Sequence, residues 1–250
     1  QGGGIKALGE GSFTMTTTSV AGCSAWQGGG VFLGGVTMGA ISASEITGNS
    51  SGDRGGGFHI STCDSIALIG VSMNGNRVTG TYREGGALFA NYSRVRIEDS
   101  DISGNSAAGG GGCYFHDCSL AEINTTSISQ NSGRYSSAAA AFIMCERSRV
   151  SNCTIAYNAC TIAYGNDQGA LLFNSDELTV IGNIIAFNAK DCGLGISSCE
   201  RVQISCNNVY GNEVEGYCED LDDLTGIDGN IAVNPMFCDT LDYCLSAASP

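Results

Sequence analysis

The sequence predicts an all-β fold: a right-handed single-stranded parallel β-helix, a solenoid of about eight to nine coils of three short strands each. Three observations carry that expectation. First, an asparagine recurs at Asn49, Asn76, Asn105, Asn131, Asn158, Asn188 and Asn212, at spacings of 27, 29, 26, 27, 30 and 24 residues. A period in this range marks stacked repeats that bury a face only against their neighbours. Second, apolar residues recur at fixed distances before each asparagine. Three before stand Ile46, Met73, Ile102, Ile128, Ile155, Ile185 and Val209. Eight before stand Ile41, Leu68, Ile97, Ile123, Val150, Val180 and Ile204, and sixteen before stand Leu33, Ile60, Phe89, Phe115, Phe142, Leu172 and Ile196. The intervals are built from steps of two, as strands require, and no segment sustains a helical period. Third, 37 glycines suit tight corners, while only 2 prolines leave the ladder donors intact.

Taken in order, the chain is expected to form a single domain over 1–250. Residues 1–23 are a degenerate first coil. Ile5 and Ala7 take first-strand places, Phe13 and Met15 the second, Val20 the third, and Cys23 the anchor place. Regular coils fill 24–212. Their anchor asparagines are expected to stack as a buried ladder, each amide bonding to the next coil.

Thirteen before each anchor runs a second column: Val36, Cys63, Tyr92, Cys118, Cys145, Ser175 and Cys199. In-register neighbours lie about 4.8 Å apart. Cys118 and Cys145 therefore fall within disulfide range, with a stack of free buried thiols as the alternative. Cys113 is expected in an inward column with Ala87 and Ala140, and Cys153 in a small polar interior column with Ser100, Thr126 and Asn183.

The stretches after the anchors (50–54, 77–84, 132–137, 159–168) vary in length and read as loops on one side. Tyr82, Arg83, Arg134, Tyr135 and Tyr164 lie there and offer a sugar- or protein-binding edge. The outward face of the first strand is expected to hold Phe32, His59, Leu88, Tyr114 and Leu171 in one column, beside Ala90, His116, Ile143 and Phe173. So apolar an outer stripe (Phe32, Leu88, Tyr114, Ile143, Leu171, Phe173) reads as an interface.

Residues 213–250 form an irregular acidic, cysteine-containing coil or cap, in which Leu221, Leu224, Ile227 and Ile231 still follow the repeat. From Glu213 to Asp242 there are nine acidic residues and no Lys or Arg. Cys218, Cys238 and Cys244 are expected to staple this stretch. Asp220-Leu221-Asp222-Asp223 offers carboxylates to calcium but lacks the glycine and spaced oxygen ligands of a loop site. No other cofactor is expected.

A net charge of −14 argues against nucleic acid, which wants a basic face. No apolar run has membrane-spanning length, so no transmembrane segment is expected. Thirteen cysteines without a C-x-x-C pair point to an oxidising compartment rather than a zinc cluster. The chain opens in mid-repeat at Gln1, as expected where a leader has been removed.

The phrases Gly85-Gly86-Ala87-Leu88, Gly169-Ala170-Leu171-Leu172 and Ile185-Ala186-Phe187-Asn188 resemble the repeats of polymorphic outer-membrane-protein-like chains. The tail from Gly229-Asn230-Ile231 through Asn234-Pro235-Met236-Phe237-Cys238 to Ser249-Pro250 is similar to the closing coil of secreted bacterial right-handed β-helix proteins. The resemblance implies a secreted or cell-surface protein used in adhesion or assembly, and it transfers no catalytic residue.

The expected function is therefore a non-enzymatic extracellular or cell-surface module for adhesion, structure or self-assembly. Its partners would be other protein subunits or surface glycans, with a homo-oligomer or fibre among the possibilities. The alternatives are a polysaccharide lyase or glycoside hydrolase, or a passive glycan-binding module. Pectinase-type hydrolysis wants paired aspartates and a histidine on one outer face, and no Asp-Asp pair lies in the repeat body; Asp222-Asp223 is in the tail. Lyase chemistry wants a base beside a charge that stabilises an enolate. Only Lys6 and Lys190 are lysines, and the best acid/base candidate is His116 beside Asp117.

Overall fold

The structure is a computed structural model that describes the chain except for residues 82, 163–169, 240–244, 248 and 250. One coil shows how the sequence builds the rest. Val31–Gly34, Met38–Ser42, Glu45–Thr47 and Ser50–Arg54 are successive short strands separated by corners. Alternation turns Val31, Leu33, Ile41, Ile46 and Ser51 inward, where all are 1% exposed or less. Every pairing between named strands is parallel and links a strand to its counterpart one coil away, which makes a right-handed β-solenoid of about eight turns. Among the described residues the first and second strands form a 15-stranded sheet, the third strands an 8-stranded sheet and the fourth strands a 6-stranded sheet.

The fourth strand departs from expectation. The stretches after the anchors open as strands rather than loops. Ser50–Arg54, Arg77–Val78, Ser106–Gly109, Ser132–Ser136 and Ala159–Cys160 pair coil to coil. Apart from Val78 their inward positions are small, as with Ser51, Ala107 and Gly133, so this side gives little apolar signal.

A second correction concerns parity. Ile60 pairs with Ala90, Ala90 with Phe115, and Phe142 with Phe173. The inward column therefore holds Ala90 and Phe173, not Phe89 and Leu172. The cause is chain length in the corner between first and second strands. Eight residues separate Phe115 from Ile123, but seven separate Ala90 from Ile97 and Phe173 from Val180. One residue fewer flips which side chains face in. Leu88, Leu171 and Phe173, expected outside, consequently sit fully buried in the core. Cys113 pairs with Leu88 and Ala140, so Leu88 takes the place expected for Ala87. For a similar reason Ser93, not Tyr92, occupies the thiol column: Cys63 N–H donates to Ser93 Oγ at 2.9 Å.

The anchor ladder is continuous. Nδ2 of Asn49, Asn76, Asn105, Asn131, Asn158 and Asn188 each donates to Oδ1 of the next anchor at 2.8–3.0 Å. Each of these amides also donates to a carbonyl of the preceding coil, such as Asn105 to Met73 O at 2.8 Å. A buried amide left unpaired would cost about 1–3 kcal/mol, so each member needs the next. A shorter ladder, Asn183 to Asn207 to Asn230, continues the polar column of Ser100, Thr126 and Cys153 toward the C-terminus.

The corner just before each anchor is left-handed. Gly48, Gly75 and Gly104 hold it early in the chain, where glycine has no Cβ to clash. Tyr157 and Phe187 hold the same place later, at φ 56° and 57°. Their rings lie 5.4 Å apart, and Phe237 of the tail packs 6.1 Å from Phe187. The tail is thus anchored on a stacked corner. Leu221 and Leu224 pack against the core. Cys218 bonds to Cys192, which the sequence reading did not single out, with Cα atoms 6.2 Å apart. Cys238 is disulfide-bonded as well, and Cys244 lies outside the described residues.

Candidate functional site

The outward face of the first strand carries an aromatic row, but with different members from those expected. Register places Phe32, His59, Phe89, Tyr114, Ala141 and Leu172 in one outward column. Beside it run Ser61, Asn91, His116, Ile143 and Asn174. Phe32 and His59 have ring centroids 4.9 Å apart, His59 and Phe89 5.1 Å, and Phe89 and Tyr114 5.9 Å.

The fourth strands end beside this row and set its rim. In the early coils the rim is long and charged. Gln27 donates to Asp53 at 2.8 Å, and Arg83 pairs with Asp53 at 2.8 Å. Arg54 pairs with Glu84 at 3.0 Å and lays its guanidinium 4.8 Å over the Phe89 ring. Under this rim Phe32, His59 and Phe89 are only 5%, 4% and 2% exposed. Burial pushes the His59 pKa down to about 4, the Arg54 charge adds to the drop, and a backbone hydrogen bond to Arg54 and the Asp53 carboxylate oppose it. Its buried Nδ1 has no hydrogen-bond partner, which fits a neutral ring.

At Gly109 the rim drops. Glu84 pairs in register with Gly109, and Gly109 with Ser136, so small residues follow a long one. A groove opens there. A cleft of about 150 Å³ is lined by Glu84, Ala108, Gly109, Tyr114, Tyr135 and Ser136. It shares Tyr114 and Ser136 with an adjoining cleft of about 230 Å³ that adds Ala141, Ile143, Leu172, Asn174 and Ser197. The groove runs along the solenoid axis across successive coils. It combines two tyrosine rings, an apolar wall, serine hydroxyls and the Asn174 amide, the usual make-up of a small-molecule or glycan site.

The expected binding residues divide accordingly. Tyr135 lines the groove, and Arg134 stacks 5.0 Å over its ring. Arg83 is taken up by Asp53 in the closed rim. Tyr82 and Tyr164 lie outside the described residues. Tyr114 and Ile143, expected at an interface, line the groove, while Phe32 is covered. His116 stands in the column next to Ile143, its Nδ1 3.0 Å from Asp117 Oδ2. Sequence reasoning missed Phe89, Leu172, Asn174 and Ser136, the first three through parity and the last because its strand read as a loop.

The second-strand face carries a charge row also missed. Arg96 pairs with Glu122 at 3.1 Å, and Arg149 lies 3.8 Å from Glu122. The signal was present, since all three stand nine residues before their anchors. Among the described residues no three His, Cys, Asp or Glu side chains converge to hold a metal. In the acidic tail, Asp223 accepts from Thr225 N–H and Asp220 from Ser198 N–H.

Residues 3–163 match a family model described as a right handed beta helix region. Neither a curated protein nor a solved structure matches the chain.

Proposed function

The chain belongs to the right-handed β-helix family, and on that premise we propose that it is a non-catalytic extracellular or cell-surface adhesion module that holds glycan in the groove over Tyr114. The observation that carries this reading is the groove itself: an aromatic floor and an apolar wall, with Ser136, Asn174 and Ser197 to meet hydroxyls. Its position along the axis suits a linear chain, because each coil repeats the same outward positions about 4.8 Å on. The titratable groups lining the smaller cleft are Glu84, Tyr114 and Tyr135, and Glu84 is neutralised by Arg54. Two further observations support placement outside the cell: the Cys192–Cys218 disulfide, and the resemblance of the Gly-Gly-Ala-Leu phrase to surface-protein repeats.

A glycan array followed by titration tests the proposal. Wild-type protein binds a neutral glycan set without releasing product, and Tyr114→Ala weakens binding about tenfold or more. Binding that Tyr114→Ala leaves unchanged overturns the assignment.

One observation favours a second reading, a polysaccharide lyase or glycoside hydrolase. His116 is oriented by Asp117 beside the groove wall, which is the arrangement of a base and its positioning carboxylate. Product release from polysaccharides, abolished by His116→Ala, would establish that reading in place of the first.

A further inference from the structure

Where the chain turns from first to second strand, Cys118 and Cys145 occupy equivalent places in adjacent coils. Asp117 N–H donates to Ile143 O at 3.0 Å, and Glu146 N–H donates to Cys118 O at 3.0 Å, so hydrogen bonds bracket the pair on both sides. Neighbouring strands at about 4.8 Å put the two Cα atoms inside the span a disulfide needs. Both thiols are free and buried, at 0% and 1% exposure. They sit one residue below the surface, because the preceding Asp117 and Met144 both take left-handed corners and Met144 is 54% exposed.

We propose that Cys118 and Cys145 are an oxidation site, a preformed dithiol that a peroxide converts to a disulfide tying coil to coil. The Cys118 sulfur attacks one oxygen of hydrogen peroxide. The O–O bond breaks, water leaves, and Cys118 becomes a sulfenic acid. The Cys145 sulfur then attacks that sulfur. The S–O bond breaks, and a second water leaves with the Cys145 proton. Two thiols are oxidised and one peroxide is reduced to two waters.

The order of events follows from the environment. The neighbouring thiol holds the Cys118 pKa down and, with burial, pushes that of Cys145 up, so the first attack is assigned to Cys118. Among the described residues, no such thiol neighbour acts on the buried Cys63, Cys113, Cys153 or Cys160. Burial alone raises Cys113, and burial pushes Cys153 up to about 12. Serine stands at the same place in neighbouring coils, as Ser93 and Ser175, so serine variants fit the column.

The test uses the folded full-length chain. It is treated with hydrogen peroxide until exposed Cys206 is oxidised, then denatured, alkylated and mapped by mass spectrometry. The expected result is a Cys118–Cys145 linked peptide that dithiothreitol releases, with a higher urea midpoint before reduction than after. In Cys145→Ser, dimedone traps a sulfenic acid at Cys118. Full alkylation of both cysteines after Cys206 has reacted, or linkage of either to a different cysteine, overturns the proposal. The wild-type map decides the matter even where a serine variant folds poorly.

Discussion

The early and late coils share one outward column and use it differently. In the early coils, Phe32, His59 and Phe89 lie beneath Gln27, Asp53, Arg54 and Glu84, and the face behaves as a second, external core. In the later coils, Gly109 and Ser136 stand where Arg54 and Glu84 stood, and the same backbone presents a groove floored by Tyr114. Cross-coil pairing of the first strands runs unbroken through both. The size of one rim side chain per coil decides whether a rung is closed or open.

The largest effect expected from this contrast is on stability. Phe89→Ala should destabilise the chain by about 3–5 kcal/mol, the usual cost of emptying a buried ring site. Tyr114→Ala, in the open half, should cost well under that while removing glycan binding. Urea titrations of the two variants check the pair, and equal losses would erase the distinction between halves.

Acid should affect the closed half next. The His59 pKa falls from 6.5 to about 4 on folding, so the unfolded chain takes up the proton first as pH drops. Stability is therefore full above pH 6.5, is lost as pH falls from 6.5 toward 4, and levels off below. The loss approaches roughly 3 kcal/mol, and His59→Phe should flatten this part of the pH–stability curve.

A fourth variant converts one half into the other. Gly109→Gln adds a rim side chain whose Cβ comes 2.9 Å from Ser136 Oγ, a group that can rotate away, and 3.6 Å and 3.8 Å from Tyr114 Cε2 and Glu84 Cγ, which are ordinary contacts. Glycan affinity should fall about tenfold, with the urea midpoint nearly unchanged. The smallest effect runs the opposite way. Glu84→Ala breaks a half-exposed ion pair worth about 0–1 kcal/mol and lengthens the groove toward Phe89, which should raise affinity for longer oligosaccharides over short ones.

How far the sequence revealed this depends on where chain length is constant. Second strand to anchor is always eight residues, so Leu68, Ile97 and Val180 were placed correctly by counting back from asparagine. Counting further back crosses a corner whose length changes by one, which misplaced Leu88, Phe89, Leu171 and Phe173. The asparagine ladder was legible because every rung repeats one residue type. The groove was not, because it arises from side-chain size in one strand set against a ring in another. The anchor-following strand was hidden by its own composition: small inward residues give alternation without hydrophobicity.

The asparagine ladder also limits how such a chain can change size. Each amide accepts from one neighbour and donates to another, so a partial turn would strand a polar group inside the stack. Duplication or deletion of a whole turn leaves every rung satisfied and only moves the ends. Growth of this molecule is therefore quantised, and binding length along its axis can be adjusted in single-turn increments without redesigning the interior.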